Sequence, residues 1–186
     1  LEELRSLTPR FVAFVTKPEE ASREQLAEIW NLSRSIDDDP YGDFIWGIIT
    51  GFDSSDALRL TQTKDTTVER VLGATSLPLC YFKSGVLYDE LKKNYRAIKE
   101  EGREEIETGF NGPDDTTKVI ADELNEAQLF VTSGHASERN WQIGYTYTNG
   151  YFLAKDGKLY GKPSKGEMFE INATGSKIHI AAGNCL

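Results

Sequence analysis

Two short apolar runs each end on a side chain that can do chemistry. Leu129-Phe130-Val131-Thr132 leads into Ser133-Gly134-His135-Ala136, and Ile178-His179-Ile180-Ala181-Ala182 leads into Gly183-Asn184-Cys185. Runs of this length and composition predict buried β-strands that stop at small-residue turns. One strand tip presents an imidazole and the other a thiol. A free thiol, with a pKa of about 8.5, is only slightly ionised at neutral pH. A neighbouring imidazole can accept its proton, hold the thiolate as an ion-pair partner and later protonate a leaving amine. Cysteine assisted by a sequence-distant histidine is therefore a route to acyl transfer.

Such chemistry also needs donors for a developing oxyanion. Gly134 and Gly183 permit sharp turns, and backbone N–H groups at such turns are free to point at negative charge. Those of Ala136 and Cys185 are the candidate pair. In open α/β sheets, sites form where parallel strands end at their carboxyl edge. The two runs are thus expected as neighbouring parallel strands. Glu138, three residues beyond His135, is a candidate to steady the imidazole, and it fits a surface rim equally. His179 shares a strand face with Ala181, Gly183 and Cys185 by period-two alternation, which leaves a chemical role open. It is read as a packed or hydrogen-bonded core histidine. On spacing alone, His135 and Cys185 also fit ordinary structural residues.

The elements that must position these residues follow an α/β rhythm. Arg10 to Thr16 reads as a strand, and Glu19 to Ile36 as an amphipathic helix with Leu26, Ile29 and Trp30 on one side. Phe44 to Thr50 is apolar on both faces, as a central parallel strand would be. Asp53 then caps a helix through Ala57, Leu58 and Leu60. Val68 to Leu72 reads as a further short strand. The charged segment Leu87 to Glu107 carries Leu91, Tyr95 and Ile98 at helical spacing and is expected as a helix. Asp114 or Asp115 caps another, carrying Val119, Ile120 and Leu124, which feeds the strand before His135. Trp141 to Tyr147 alternates like a strand, Thr148-Asn149-Gly150 turns, and Tyr151 to Ala154 returns. Asp156-Gly157 makes a second tight turn before Leu159-Tyr160. The hairpins read as an insertion ahead of the last strand. Trp141, Tyr145, Tyr147 and Tyr151 fit either a substrate groove or structural packing.

The chain has 186 residues, enough for one domain with a real core. A net charge of −9 argues against nucleic acid, whose phosphates need clustered Lys and Arg. No apolar run is long enough for a membrane-spanning helix. Two cysteines are too few for a disulfide scaffold. Cys80, inside Leu77-Pro78-Leu79-Cys80-Tyr81-Phe82, reads as inert core packing. A nucleotide-binding α/β protein is disfavoured, because Thr16-Lys17-Pro18 follows the first strand where a Gly-rich phosphate loop would stand. Asn172-Ala173-Thr174 matches a glycosylation acceptor, a tripeptide that is common by chance. The start at Leu1 without Met and the end one residue after Cys185 read as a fragment or a processed subunit. The compartment stays open.

The segment Thr132-Ser133-Gly134-His135-Ala136-Ser137-Glu138-Arg139-Asn140-Trp141 resembles the Thr-Gly-His-Gly-Ser-Glu-Thr-Ala-Trp segment of the gingipain family. Lys177 to Leu186 is similar to that family's strand ending in a small residue and the nucleophilic Cys. Both fit the wider caspase-like clan, with its apolar block before His-Gly and a second before Ala-Cys or Gly-Cys. The match covers residues 115 to 141 and 177 to 186. It departs from the family at Ala136, where Gly is usual, and at Asn184, where Ala is common.

The resemblance implies a caspase-like three-layer α/β fold, a mostly parallel central sheet flanked by helices, with the β-hairpin insertion before the last strand. It implies one catalytic domain over 1–186, with His135 and Cys185 as catalytic residues and the N–H groups of Ala136 and Cys185 as oxyanion hole; Gly134 and Glu138 are the candidates for support from their positions beside His135. The implied activity is that of a cysteine endopeptidase acting on a protein or peptide substrate without cofactor. The alternative is an inactive relative serving as an interaction module. Gingipain-like proteins also bind calcium, and Asp37-Asp38-Asp39 has the oxygens for it, although such a run equally makes a solvated turn. The family's specificity pocket uses segments after the nucleophile, and here only Leu186 follows. The gingipain preference for basic residues therefore does not carry over. A continuation past Leu186, in the same precursor or as a second chain, is expected. An intact mass showing that the native product ends at Leu186 would refute that.

Overall fold

Val71-Leu72-Gly73-Ala74, Gly85-Val86-Leu87 and Leu129 to Thr132 are apolar on both faces, and a strand of that kind must be covered on both sides. The structure, a computed structural model, describes residues 1–63, 66–137 and 139–182. Cys185, Gly183, Asn184 and Glu138 lie outside the described residues. The chain forms two compact units, Leu1–Lys64 and Asp65–Leu186.

The first unit runs α1 (Glu2–Leu7), β1 (Phe11–Val15), α2 (Arg23–Leu32), β2 (Ile45–Ile49) and α3 (Ser54–Thr61). Strands β1 and β2 pair in parallel from Phe11 opposite Ile45 to Val15 opposite Ile49. The Ser22 hydroxyl accepts the Gln25 N–H at the start of α2. Asp53 caps α3 as its sequence predicts, its carboxylate accepting the N–H groups of Ser55 and Asp56 at 2.9 and 3.0 Å. The expected central strand is corrected here. Strand β2 belongs to a two-stranded sheet, and Phe11, Val15 and Ile45 on one face are exposed. Asp37 and Asp39 accept the N–H groups of Asp39 and Tyr41, so both carboxylates act in forming the turn.

The second unit adds β3 (Arg70–Ala74), β4 (Ser84–Leu87), β5 (Tyr95–Lys99), β6 (Ile106–Gly109), α4 (Thr117–Glu123) and β7 (Leu129–Thr132). It continues with β8 (Asn140–Gln142), β9 (Tyr151–Lys155), β10 (Lys158–Lys162), β11 (Phe169–Ile171) and β12 (Ile178–Ala181). A mixed six-stranded sheet has the order β12-β7-β3-β4-β5-β6. Its first four strands are parallel, β5 runs antiparallel to them, and β6 runs antiparallel to β5. A separate antiparallel sheet has the order β11-β10-β9-β8.

Alternation divides the core between the faces of the large sheet. Leu72, Ala74, Val86, Tyr88 and Phe130 pack with Ile120, Ala121 and Leu124 of α4 and with Ile143, Phe152 and Ile171 around the smaller sheet. Val71, Leu87, Ala97, Leu129 and Val131 on the other face pack with Leu79, which sits in a 3₁₀ turn over Leu79–Tyr81. The antiparallel hairpins thus share one face of the large sheet with the single α-helix described in this unit. Cys80 lies in that same 3₁₀ turn, and the expectation of a core thiol is corrected. Leu79 points inward and is fully buried, whereas Cys80 is exposed.

The segment Leu87 to Glu107 is strand rather than helix. Asp89 accepts the N–H groups of Leu91 and Lys92 and so forms a tight turn. Asn94 then takes φ 53 and Gly102 φ 73, which break any helix. Tyr95, Ala97 and Lys99 alternate across the sheet in the register of β4 and β6. Leu91, one of the three apparent helix contacts, is exposed. Gly85 is required in β4, because a Cβ there would approach the Val71 carbonyl oxygen to 2.8 Å.

Polar groups fasten the smaller sheet to the start of α4. The buried Asn149 donates to Thr116 Oγ1 and to the Ile143 carbonyl and accepts the Thr116 N–H. Asp115 accepts from Thr117 N–H and from both the N–H and the hydroxyl of Ser164. Burial opposes ionisation of Asp115, but those hydrogen bonds outweigh it and hold the carboxyl below its usual range. Asp156 and Gly157, with φ 51 and 73, form the predicted two-residue turn between β9 and β10.

Candidate functional site

Strands β7 and β12 are parallel neighbours, with Ile178 opposite Leu129 and Ala181 opposite Thr132. The Ala182 N–H continues the ladder by donating to the Thr132 carbonyl at 2.8 Å. Both runs therefore finish at the same edge of the sheet. From β3 the chain passes to β4 on one side, while β7 lies on the other. In α/β sheets, ligands are commonly received at the carboxyl ends of strands where the connections diverge in this way.

The turn after β7 is built around Gly134, whose φ of 112 is one that residues with a side chain rarely adopt. It turns the chain so that His135 is exposed. Beyond it, the His135 carbonyl accepts the Gln142 N–H and the Ser137 N–H donates to the Asn140 carbonyl. These two bonds bracket the antiparallel bridge between Ala136 and Trp141. In such a bridge, the N–H and C=O of the enclosed residue point away from the partner strand. Among the described residues the Ala136 N–H has no acceptor, so it is available to a ligand oxygen.

A pocket of about 260 Å³ borders His135 and Ala136 and is lined also by Asn140, Gln142 and Tyr151. Of the aromatic residues considered for a groove, Tyr151 lines this pocket. Trp141 packs on Phe152 instead, and Tyr145 and Tyr147 meet each other edge-on at 5.5 Å. A larger cavity, about 740 Å³, lies within the first unit between Val15, Ile49, Phe52 and Leu58. Its described lining has neither histidine nor cysteine, so volume alone does not mark the site.

His179 has a different setting from His135. Its Nε2 lies 3.0 Å from Thr132 Oγ1, and its ring stacks on Phe130 at 4.9 Å and lies 5.4 Å from Trp141. Burial of the ring against these neighbours pushes its imidazole below the ordinary range, yet the residue as a whole is exposed, so the expectation of a core histidine is corrected. The native state thus binds this proton less readily than the unfolded chain does. Stability is full above the unfolded histidine pKa of about 6.5 and falls as pH drops from there towards the lower folded value. Urea unfolding at pH 7.5 and pH 5 should show that loss, and His179→Phe should reduce it.

The sequence reading missed Thr75, Glu90 and Ser133. Thr75 follows β3, Glu90 follows β4 and Ser133 follows β7, and their side chains meet at the carboxyl ends of these strands. The only signal in the chain was their position just after apolar runs. Among the described residues, no group of three or more His, Cys, Asp or Glu is arranged to hold a metal ion. No described helix is long and apolar enough to cross a membrane. Searches of protein-family models, curated proteins and solved structures find no match to this chain.

Proposed function

We propose that this chain is a cysteine endopeptidase with a caspase-like fold, in which Cys185 is the nucleophile and His135 its acid–base partner. The parallel pairing of β7 and β12 supports this reading, because it takes the strands that lead to both residues to one sheet edge. The exposed His135 and the outward Ala136 N–H add to it. The thiol transfers its proton to His135, and the thiolate sulfur attacks the carbonyl carbon of the scissile peptide. Electrons move onto the carbonyl oxygen, which accepts hydrogen bonds from the N–H groups of Ala136 and Cys185. Collapse of this intermediate expels the amine, protonated by His135, and leaves a thioester. Water, deprotonated by His135, then attacks the thioester and frees the acid and the thiol.

The test is labelling of the full-length protein with a peptide bearing a thiol-directed electrophile, followed by mass mapping. Because Cys80 is exposed, it should react in the wild type at the rate of an ordinary surface thiol. Cys80→Ser is therefore the proper background. In it, rapid stoichiometric labelling of Cys185 that falls at least about tenfold in His135→Ala supports the enzyme. Labelling of Cys185 that is slow and indifferent to His135 would favour an inactive interaction module instead.

A further inference from the structure

The Ser133 hydroxyl donates to Glu90 Oε2 and lies 2.6 Å from Thr75 Oγ1. Ser133 has one hydroxyl proton, and an ionised carboxylate can only accept. The direction of the chain follows: Thr75 donates to Ser133, and Ser133 donates to Glu90. Thr75 is buried and Ser133 and Glu90 are half-buried, so the bonds are shielded from water. The three residues close the carboxyl ends of three adjacent strands, β7, β3 and β4. Glu90 also anchors the far side of the site, since its carbonyl accepts the Thr146 N–H at 3.0 Å. The Thr146 carbonyl in turn accepts from the Gln142 side chain. A Cβ added at Gly134 would lie 3.9 Å from Glu90 Oε2, so the carboxylate sits against the turn that delivers His135.

We propose that Glu90 is a positioning residue, which holds the Ser133-Gly134-His135 turn through the Ser133 hydroxyl and so fixes where the imidazole stands. On its other side the turn is held through the backbone, where the His135 carbonyl accepts the Gln142 N–H. Among the described residues no polar side chain engages the His135 ring, and Gly134 contributes no packing side chain. Anchoring one residue before the glycine is what gives the histidine a defined direction. The geometric part stands on these contacts alone, while its kinetic consequence rests on the peptidase reading.

The experiment uses the full-length protein with Ser133→Ala, Glu90→Ala, the double variant, and the conservative Ser133→Thr and Glu90→Gln. With only two histidines in the chain, imidazole resonances of histidine-labelled protein are assigned with His179→Gln. Ser133→Ala and Glu90→Ala should shift the His135 resonances and leave those of His179 in place, which a general loss of structure would not do. On peptide substrates kcat should fall about ten- to a hundredfold with KM within about threefold, the signature of a misplaced catalytic group. The double variant should be no worse than either single one, because both break one chain of contacts. Ser133→Thr and Glu90→Gln, which keep a donor and an acceptor, should recover most of the rate. Unshifted His135 resonances, or full kcat in the alanine variants, would overturn the proposal. If the wild type itself hydrolyses no peptide, the peptidase reading fails and the His135 resonances alone decide the positioning role.

Discussion

His135→Ala should lower kcat for peptide hydrolysis by about a hundred- to ten-thousandfold, the range typical of a lost general acid–base. His179→Gln should stay within a few-fold of wild type. The contrast rests on surroundings. Both residues are exposed, but His135 stands beside a pocket and an unused backbone N–H, whereas His179 bonds to Thr132 and stacks on Phe130. A stacked, hydrogen-bonded ring is poorly placed to turn towards a substrate. Initial rates on a mixture of quenched fluorescent peptides measure both variants, with Cys185→Ser as the inactive reference and Cys80→Ser as the active one. Loss of activity in His179→Gln with retention in His135→Ala would reverse the assignment.

Phe152→Ala is expected to be the most destabilising of the substitutions considered, by about 3–5 kcal/mol, from lost burial and the cavity left behind. Phe152 is fully buried and lies 5.9 Å from Phe130 of β7 and 6.1 Å from Trp141 of β8, ring to ring. It is therefore the side chain through which the antiparallel sheet grips the strand leading to His135. Phe152→Leu, which keeps much of the volume, should recover most of the loss. Urea unfolding followed by far-ultraviolet circular dichroism gives the difference. A loss below about 1 kcal/mol for Phe152→Ala would mean that the two sheets are held together by other contacts, such as those of Ile143 and Ile171.

Several short apolar runs closed by turn residues were readable as strands, although β4 (Ser84–Leu87) was not. Leu129 to Thr132, Phe44 to Thr50 and Ile178 to Ala182 were all placed within a residue or two. The cap at Asp53 and the Asp156-Gly157 turn were equally legible, because each depends on the residues immediately around it. Failure came where two periods fit the same residues. Leu91, Tyr95 and Ile98 satisfy a helical spacing, yet Tyr95, Ala97 and Lys99 also alternate, and pairing with β4 and β6 selected the second pattern. Cys80 was misjudged for a related reason. Its neighbours are apolar, but a 3₁₀ turn separates the directions of adjacent side chains, so Leu79 enters the core and Cys80 does not.

The sequence by itself determined the α/β class of the second unit, the strand that leads to His135, the glycine that turns the chain there, and the strand that leads towards Cys185. These follow from local hydrophobic runs and backbone preferences, which act over a few residues. Only the tertiary structure decided that β7 lies between β12 and β3, that Thr75, Ser133 and Glu90 meet, and that His179 is stacked while His135 is open. The physical reason is that hydrogen bonds between strands join residues far apart in the chain, and which strand neighbours which is settled by the burial of whole faces. No single stretch of sequence contains that information.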